Sequence, residues 1–432
     1  MKRILPFAAA AIFLRIAPAA RPDSPPFDLA SAQAAALANN PSLAAARERL
    51  AQAAARLAEA RADRWPSLSA QANASRVDVS DRNLAGSGAK NPEDWFDAEL
   101  KASWLLFDGF RRENSVAAAR RGRDSGQAAF DDARRLLIQS VAHAFLRVQL
   151  AREEERIALA DLEFYDRLAA DAEARLAAGG GSRSDLLGFQ IRANDARAAL
   201  IDSRRIADAA LAALAELASV PAARLAEAPL APLAPDADPI PINPNPDARL
   251  AQALAQRPDL LRAVADADAA LADARAARGD LSPKIFLVGS CSGQRSHDAS
   301  FRDDDFGWSA GVAVSFDIFE GGRTRAKIAQ ADSLAREASL AVQSLRNAVE
   351  REILDASSAL SAAQDQLGLQ SDNLRLVLQN RDLVESEYRS GQSSFVRLNE
   401  AQRDLVAAES RLSRARANLF LARVDLDAAA GN

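Results

Sequence analysis

The chain is written twice. Asn40-Pro41-Ser42-Leu43 returns as Arg257-Pro258-Asp259-Leu260, and Trp65-Pro66-Ser67-Leu68 returns as Ser282-Pro283-Lys284-Ile285, both at an offset of 217 residues. Phe107-Asp108-Gly109-Phe110-Arg111 returns as Phe319-Glu320-Gly321-Gly322-Arg323 at an offset of 212, which Gly179/Gly391 and Gln190/Gln402 also keep. The offset changes once, by five residues, between Pro66 and Phe107, where a surface loop of different length belongs. With a repeat this long, the half-chain becomes the unit that must fold. The 432 residues then divide into an export signal (1–19), a first repeat (28–227), a linker (228–246) and a second repeat (247–432).

Each repeat reads the same way. A helix is expected from near Ser42 to Arg64, and from near Asp259 to Leu281, entered after one proline and ended before another. Two strands follow. In Ser67–Val79, Leu68, Ala70, Ala72 and Ala74 alternate with Ser67, Ser69, Gln71 and Asn73; in Asp97–Phe107, Ala98, Leu100, Ala102, Trp104 and Leu106 alternate with polar residues. The second repeat alternates Trp308, Ala310, Val312, Val314 and Phe316 in the same manner, so each strand has one apolar and one polar face. Polar loops are expected at Ser80–Asp94 and Arg295–Asp305.

Arg111 to Ala178 and Arg323 to Ser390 contain no proline, and Val349, Ile353, Ala356, Leu360, Ala363 and Leu367 step by three and four. Each stretch makes a helix roughly 100 Å long at 1.5 Å per residue. Glycines at 179–181 and 391 break these helices, and a shorter helix returns to about Ser219 and Ala429. The return helix, stacked end to end on the opening helix, nearly matches the long one. That arithmetic describes a layer of antiparallel helices without a globular core. The segment from Ala228 to Pro246 carries prolines at 229, 232, 235, 239, 241, 244 and 246 and reads as extended chain.

Composition excludes several functions. Aromatics are 5% and charged residues 26%, a coiled-coil-like profile, and the net charge of −5 is spread over both signs, leaving no basic stripe for a nucleic acid. The single cysteine, Cys291, rules out an internal disulfide or a cysteine zinc cluster; His143 and His297 lie far apart and read as surface or interface residues. No phosphate loop, dinucleotide fingerprint or HExxH helix occurs, so no cofactor and no enzyme is expected. Lys2-Arg3, the apolar run Ile4–Leu14 and Ala17-Pro18-Ala19 read as an export signal. Elsewhere no uncharged stretch reaches the ~20 residues a spanning helix needs. Membrane entry would therefore fall to the strands. Trp65, Trp95, Trp104 and Trp308 lie in or beside them, as an interfacial girdle requires. Four strands are too few to close a barrel, so this reading demands oligomers.

The residues also carry a resemblance. Ala36-Leu37-x-x-Asn40-Pro41-x-Leu43, Trp65-Pro66-x-Leu68, Leu106-Phe107-Asp108-Gly109 and Tyr388-x-x-Gly391-x-x-Ser394-x-x-x-Leu398 resemble, in order, the TolC family of outer-membrane efflux and secretion channels. The resemblance implies a homotrimer with a twelve-stranded outer-membrane β-barrel, four strands per chain, continuous with a long periplasmic α-helical barrel in a Gram-negative bacterium. It implies a passive conduit, for efflux or type I secretion, served by a periplasmic adaptor (membrane fusion protein) and an inner-membrane pump or ABC exporter. The adaptor would dock at the helical tips around Gly179, Gly180, Gly391 and Gln392. The family's narrowed entrance maps to Arg397 and Glu400, with Tyr388 as the tip tyrosine; Asp185 holds in the first repeat the place of Arg397 in the second. Arg397 departs from the family's acidic residue there. The alternative reading is a soluble periplasmic coiled-coil scaffold or adaptor, which would be extracted without detergent.

Overall fold

The computed structural model describes residues 27–78, 92–227, 246–296 and 298–432. The expected export signal, most of the first inter-strand loop (residues 79–91), His297 and linker residues 228–245 lie outside the described residues. The first half runs α1 (Leu29–Asn39), α2 (Pro41–Ala62), β1 (Ser67–Val77), β2 (Glu93–Phe107), α3 (Arg111–Ala177), α4 (Arg183–Ala218) and a short α5 (Ala222–Glu227). The second runs α6 (Pro246–Gln256), α7 (Pro258–Gly279), β3 (Lys284–Ser296), β4 (Phe306–Ser315), α8 (Arg323–Arg389) and α9 (Phe395–Ala429), with a 3-10 turn at Asp303–Asp305.

The long helices α3 and α8 are 67 residues each, ~100 Å of rise. Both end in the same way. Gly179 and Gly391 take φ of +81° and +78°, and the next residues, Gly180 and Gln392, donate their N–H groups back to the carbonyls of Arg175 (3.0 Å) and Glu387 (2.8 Å). This six-to-one bond satisfies the last turn and needs a residue at ease with positive φ, which is glycine. Ser182 and Ser394 then cap the return helices, accepting from the N–H groups of Ser184 (3.1 Å) and Arg397 (3.3 Å).

Short helices precede α2 and α7 where a single opening helix was expected. The residues between them, Asn40 and Arg257, precede prolines and hold ψ of 121° and 120°. Proline forbids its predecessor the helical region, so α1/α2 and α6/α7 are each two helices meeting at a corner. Pro246, assigned to the linker, instead opens α6, where a first-turn proline loses nothing. The strands depart from expectation at their ends. β2 begins at Glu93 because Glu93 and Asp94 pair with Val77 and Arg76; β3 takes in Arg295, opposite Phe96; β4 stops at Ser315, leaving Phe316 beyond it.

The helices form a layer. α2 and α4 both pack on α3, and α7 and α9 pack on both α3 and α8. The core is a series of thin seams. One joins Ala32 of α1 to Val141, Phe145 and Val148 of α3 and Leu211 and Leu214 of α4; another joins Ala253, Val349, Ile353 and Ala429 of α6, α8 and α9. Beyond the helix ends stands a sheet of order β1-β2-β3-β4, antiparallel throughout. Its joint with the helices is tight. Gly109, at φ +67°, lies so close to α7 that a Cβ would sit 2.6 Å from Ser282. Buried Asp108 accepts from Arg112 Nε at 3.0 Å, Arg111 pairs with Asp280 at 2.8 Å, and Trp104 Nε1 donates to the Arg64 carbonyl at 2.9 Å.

Candidate functional site

Two regions carry the chemistry: the sheet at one end of the layer and the helical tips at the other. In the sheet, directly opposed residues share a face. Leu68 lies opposite Ala102, Ala70 opposite Leu100, Leu100 opposite Cys291, Trp104 opposite Leu287, and Cys291 opposite Trp308. One face is therefore apolar across all four strands from the helix end outward, and ends at the far rim in Arg76, Asp94 and Arg295. Among the described residues nothing covers it: Leu68, Val312, Val314 and Trp308 are exposed, the last at 82%. The other face carries the polar residues, with Leu105, Phe286 and Val288 among them near the helix end. Asn73 Nδ2 donates to Asp97 at 2.8 Å, and the Ser290 and Ser309 hydroxyls meet at 3.0 Å.

The tryptophans separate. Trp65 and Trp104 sit at the helix end of the sheet, and Trp308 lies level with Leu100, nearer its middle. Trp95, opposite Ser75 and Ser296, falls on the polar face. At the far end Phe306 lies over Gly293, whose Cβ would be 2.8 Å from the ring, so phenylalanine occupies the apolar face there.

At the tips the structure brings Tyr388 and Asp185 together. The Tyr388 hydroxyl donates to Asp185 Oδ2 at 3.3 Å, joining the end of α8 to the start of α4. Phe189 stacks edge-on against Tyr388 and Phe395, at 5.8 and 4.8 Å between centroids, and the Arg175 guanidinium lies 5.9 Å from the Tyr388 ring. Burial, with the Asp185 charge adding, raises the Tyr388 phenol above its usual range. Arg397 is exposed and sits 3.5 Å from Glu387; Glu400, one turn further, is exposed on the same side of α9. Asp185 and Arg397, equivalent in the repeat, thus have different partners.

Behind the tips lies a buried polar pair of contacts that sequence reasoning missed. Tyr165 donates to Asn399 Oδ1 at 2.8 Å, and Gln402 Nε2 donates to Asp161 Oδ1 at 2.7 Å, both between α3 and α9. Gln402 Oε1 is buried with no partner. Burial raises the Asp161 carboxyl, against the opposing bond from Gln402, and raises Glu409 two turns along, against the opposing charge of Arg156. Further along the same seam His143 Nε2 lies 2.6 Å from Asp425, making His143 an interhelical residue. Among the described residues no group of His, Cys, Asp and Glu could hold a metal ion, and no helix is long and apolar enough to cross a membrane.

The chain as a whole is similar to known proteins. The family model described as outer membrane efflux protein matches residues 33–219 and 250–432. The pyoverdine export outer membrane protein OpmQ of Pseudomonas aeruginosa is 31% identical over 406 residues, covering 89% of this chain and 82% of that protein. The outer membrane efflux protein BepC of Brucella suis is 27% identical over 333 residues, covering 77% and 71%. The solved structure of the outer membrane protein VceC of Vibrio cholerae superposes with a TM-score of 0.80 at 20% identity, covering 94% of this chain and 96% of that one. The chain belongs to the outer membrane efflux protein family and is an outer-membrane efflux channel component, not an enzyme.

Proposed function

We propose that three copies of this chain form the exit duct of an export machine that spans both membranes. The observation that carries this reading is the four-stranded sheet. Among the described residues its apolar face is bare and both its edges, β1 and β4, are unpaired. In a bilayer an unpaired edge leaves backbone N–H and C=O groups without water, at several kcal/mol each, so the sheet must close. Three copies give twelve strands, an even number within the range of outer-membrane barrels, with an apolar outside and a polar lumen. The helices support the same assembly. α8 leaves Leu369, Leu376 and Leu383 exposed at heptad spacing, and α4 leaves Leu187, Ile191 and Ile201 exposed, as two faces that meet between copies would.

The duct is passive. Energy and substrate choice come from an inner-membrane pump, which can be an ABC exporter in a type I secretion system, and a periplasmic adaptor seats on the tips at Gly179–Gly180 and Gly391–Gln392. The entrance is closed by the Tyr388–Asp185 bond and lined by Arg397 and Glu400, a mixed ring of charge with little preference for cations. The test is reconstitution. Detergent-purified protein should have the mass of a trimer and conduct ions across a planar bilayer; a monomer extracted without detergent, giving no conductance, would instead be a periplasmic scaffold.

A further inference from the structure

The helical layer has two faces, and short helices cover one of them. α1 and α5 bring Ala32 and Leu225 onto Val141, Phe145 and Val148 of α3 and Leu211 and Leu214 of α4. Helices laid across the wall of a duct must lie outside it, since inside they would fill the bore. The opposite face of α3 and α4 therefore lines the bore. At 100° per residue, Arg147 lies about 200° round α3 from Phe145, and Ala213 about 200° round α4 from Leu211. This placement rests on the duct reading above.

On that inner face, between α3 and α4, runs a groove of about 810 Å³. Its floor is apolar: Leu150, Ile206, Ala209 and Ala213 line it, and Ile206 is 42% exposed. His143, Arg147, Glu154 and Arg205 stand around the floor. The acids there are already engaged. Asp425 of α9 accepts from Gln139 at 2.8 Å and lies 2.6 Å from His143 Nε2, and Glu154 is held by Arg414 at 2.8 Å. The cations are freer. Arg147 is exposed and has no ion pair among the described residues. Arg205 pairs at 2.8 Å with Asp202, but both side chains are largely exposed, a contact of little strength that a ligand readily replaces.

The second repeat shows that the fold does not need these groups. At the offset of 212, His143 corresponds to Asp355, Arg147 to Ala359, Arg205 to Ala417 and Ile206 to Asn418. Helices α8 and α9 thus pair without a cation or an isoleucine at these places, and the cationic groove is a specialisation of the first repeat.

We infer that this groove binds an amphipathic organic anion on its passage through the duct, its apolar body on Leu150, Ile206 and Ala209 and its carboxylate or sulfonate on Arg147 and Arg205. An apolar floor with a few convergent polar groups is the ordinary form of a small-molecule site. Planar guanidinium groups suit such oxygens because they donate two parallel bonds. An inorganic anion would leave the floor wet, and a cation would meet Arg147. Three copies carry three such grooves at one height, about halfway along α3.

The probe is 8-anilinonaphthalene-1-sulfonate, which joins an aromatic body to a sulfonate. Full-length trimer in lipid nanodiscs, read by fluorescence against empty nanodiscs, should bind it saturably. Arg147→Ala should weaken that binding about tenfold, and Arg147→Ala with Arg205→Ala should weaken it further. Ile206→Asn should weaken it as well. Each change installs the residue that the second repeat carries, so the fold should hold, and a trimeric mass checks it. Arg147→Lys should recover part of the affinity. Benzyltrimethylammonium, a cation with an aromatic body, should not displace the probe. In planar bilayers the probe should lower the conductance of the parent and leave that of the double variant unchanged. A trimer that binds the probe equally in parent and variants, or releases it to benzyltrimethylammonium, would overturn the anion site and leave the duct standing. Binding that the variants lose, with no effect on the parent's conductance, would overturn the placement on the bore. A monomeric parent would overturn the duct reading, and that placement with it.

Discussion

Asn40 holds two helices at once: its Oδ1 accepts from the N–H groups of Ser42 (2.9 Å) and Leu43 (3.4 Å), while its Nδ2 donates to the carbonyl of Leu217, 177 residues along the chain. One amide thus caps the start of α2 and the end of α4, making two short helices into one continuous partner for α3. Asn40→Asp keeps the cap and loses the donor, and should cost about 1–2 kcal/mol; Asn40→Ala loses both and should cost more. Urea unfolding of the purified protein ranks the two.

Arg257 does the equivalent task with a charge. It is buried, donates to the Ala429 carbonyl, and pairs with Asp259 at 2.9 Å and Glu352 at 2.6 Å. Arg257→Ala leaves that carbonyl and Asp259 with unmet needs and should destabilise by about 3 kcal/mol. Arg257→Lys should recover only part, because an ammonium cannot reach three partners from one plane. Thermal unfolding of the two variants gives the order.

The glycines at the two ends of the helical layer should differ in tolerance. Gly391→Ala meets open space and carries only the strain of a φ of +78°, about 1–2 kcal/mol. Gly109→Ala adds to similar strain a Cβ pressed against Ser282 and the Gly279 carbonyl, and should fail to assemble. Yield of heat-stable oligomer from membranes reads the difference.

At the tips, Tyr388→Phe and Asp185→Ala should each raise conductance, and the double variant should raise it no further, since both break one bond. Additive effects would mean that the two residues act through separate contacts.

The raised carboxyl of Asp161 gives a pH dependence with a definite sign. A carboxyl whose pKa is higher folded than unfolded binds more protons in the folded state, so its ionisation weakens the fold as pH rises through the folded value. Acidification from neutral toward the ordinary value of 3.8 therefore strengthens the α3–α9 seam. Asp161→Asn removes this term and can donate to the orphaned Gln402 Oε1, a gain of about 1 kcal/mol at pH 7. Comparing the melting temperatures of parent and variant from pH 7 to 5 isolates the effect, with the gap narrowing as pH falls.

Much of this architecture was legible in the residues. Freedom from proline over 111–178 and 323–390 marked the two long helices to within a residue, and alternation set the two faces of the sheet because its period leaves one choice of inside and outside. Trp95 was legible too, since its odd position shares a face with Asp97 and Glu99. The corners at Asn40 and Arg257 follow from proline acting on its predecessor, a rule that names the break but not the short helix before it. Tyr165–Asn399 and Asp161–Gln402 could not be read. Their partners are 234 and 241 residues apart, and nothing local in either helix distinguishes a buried polar residue from a solvated one.

The two long helices have the same length to the residue, although the strands and loops before them do not. Every glycine tip therefore lies at one depth. A single residue inserted into α3 alone would lower its tip by about 1.5 Å and turn it by about 100°, tilting the rim on which any partner must sit. Changes of length are thus confined to the far side of the sheet, and the duct can vary what it shows to the outside world while its inner rim stays flat.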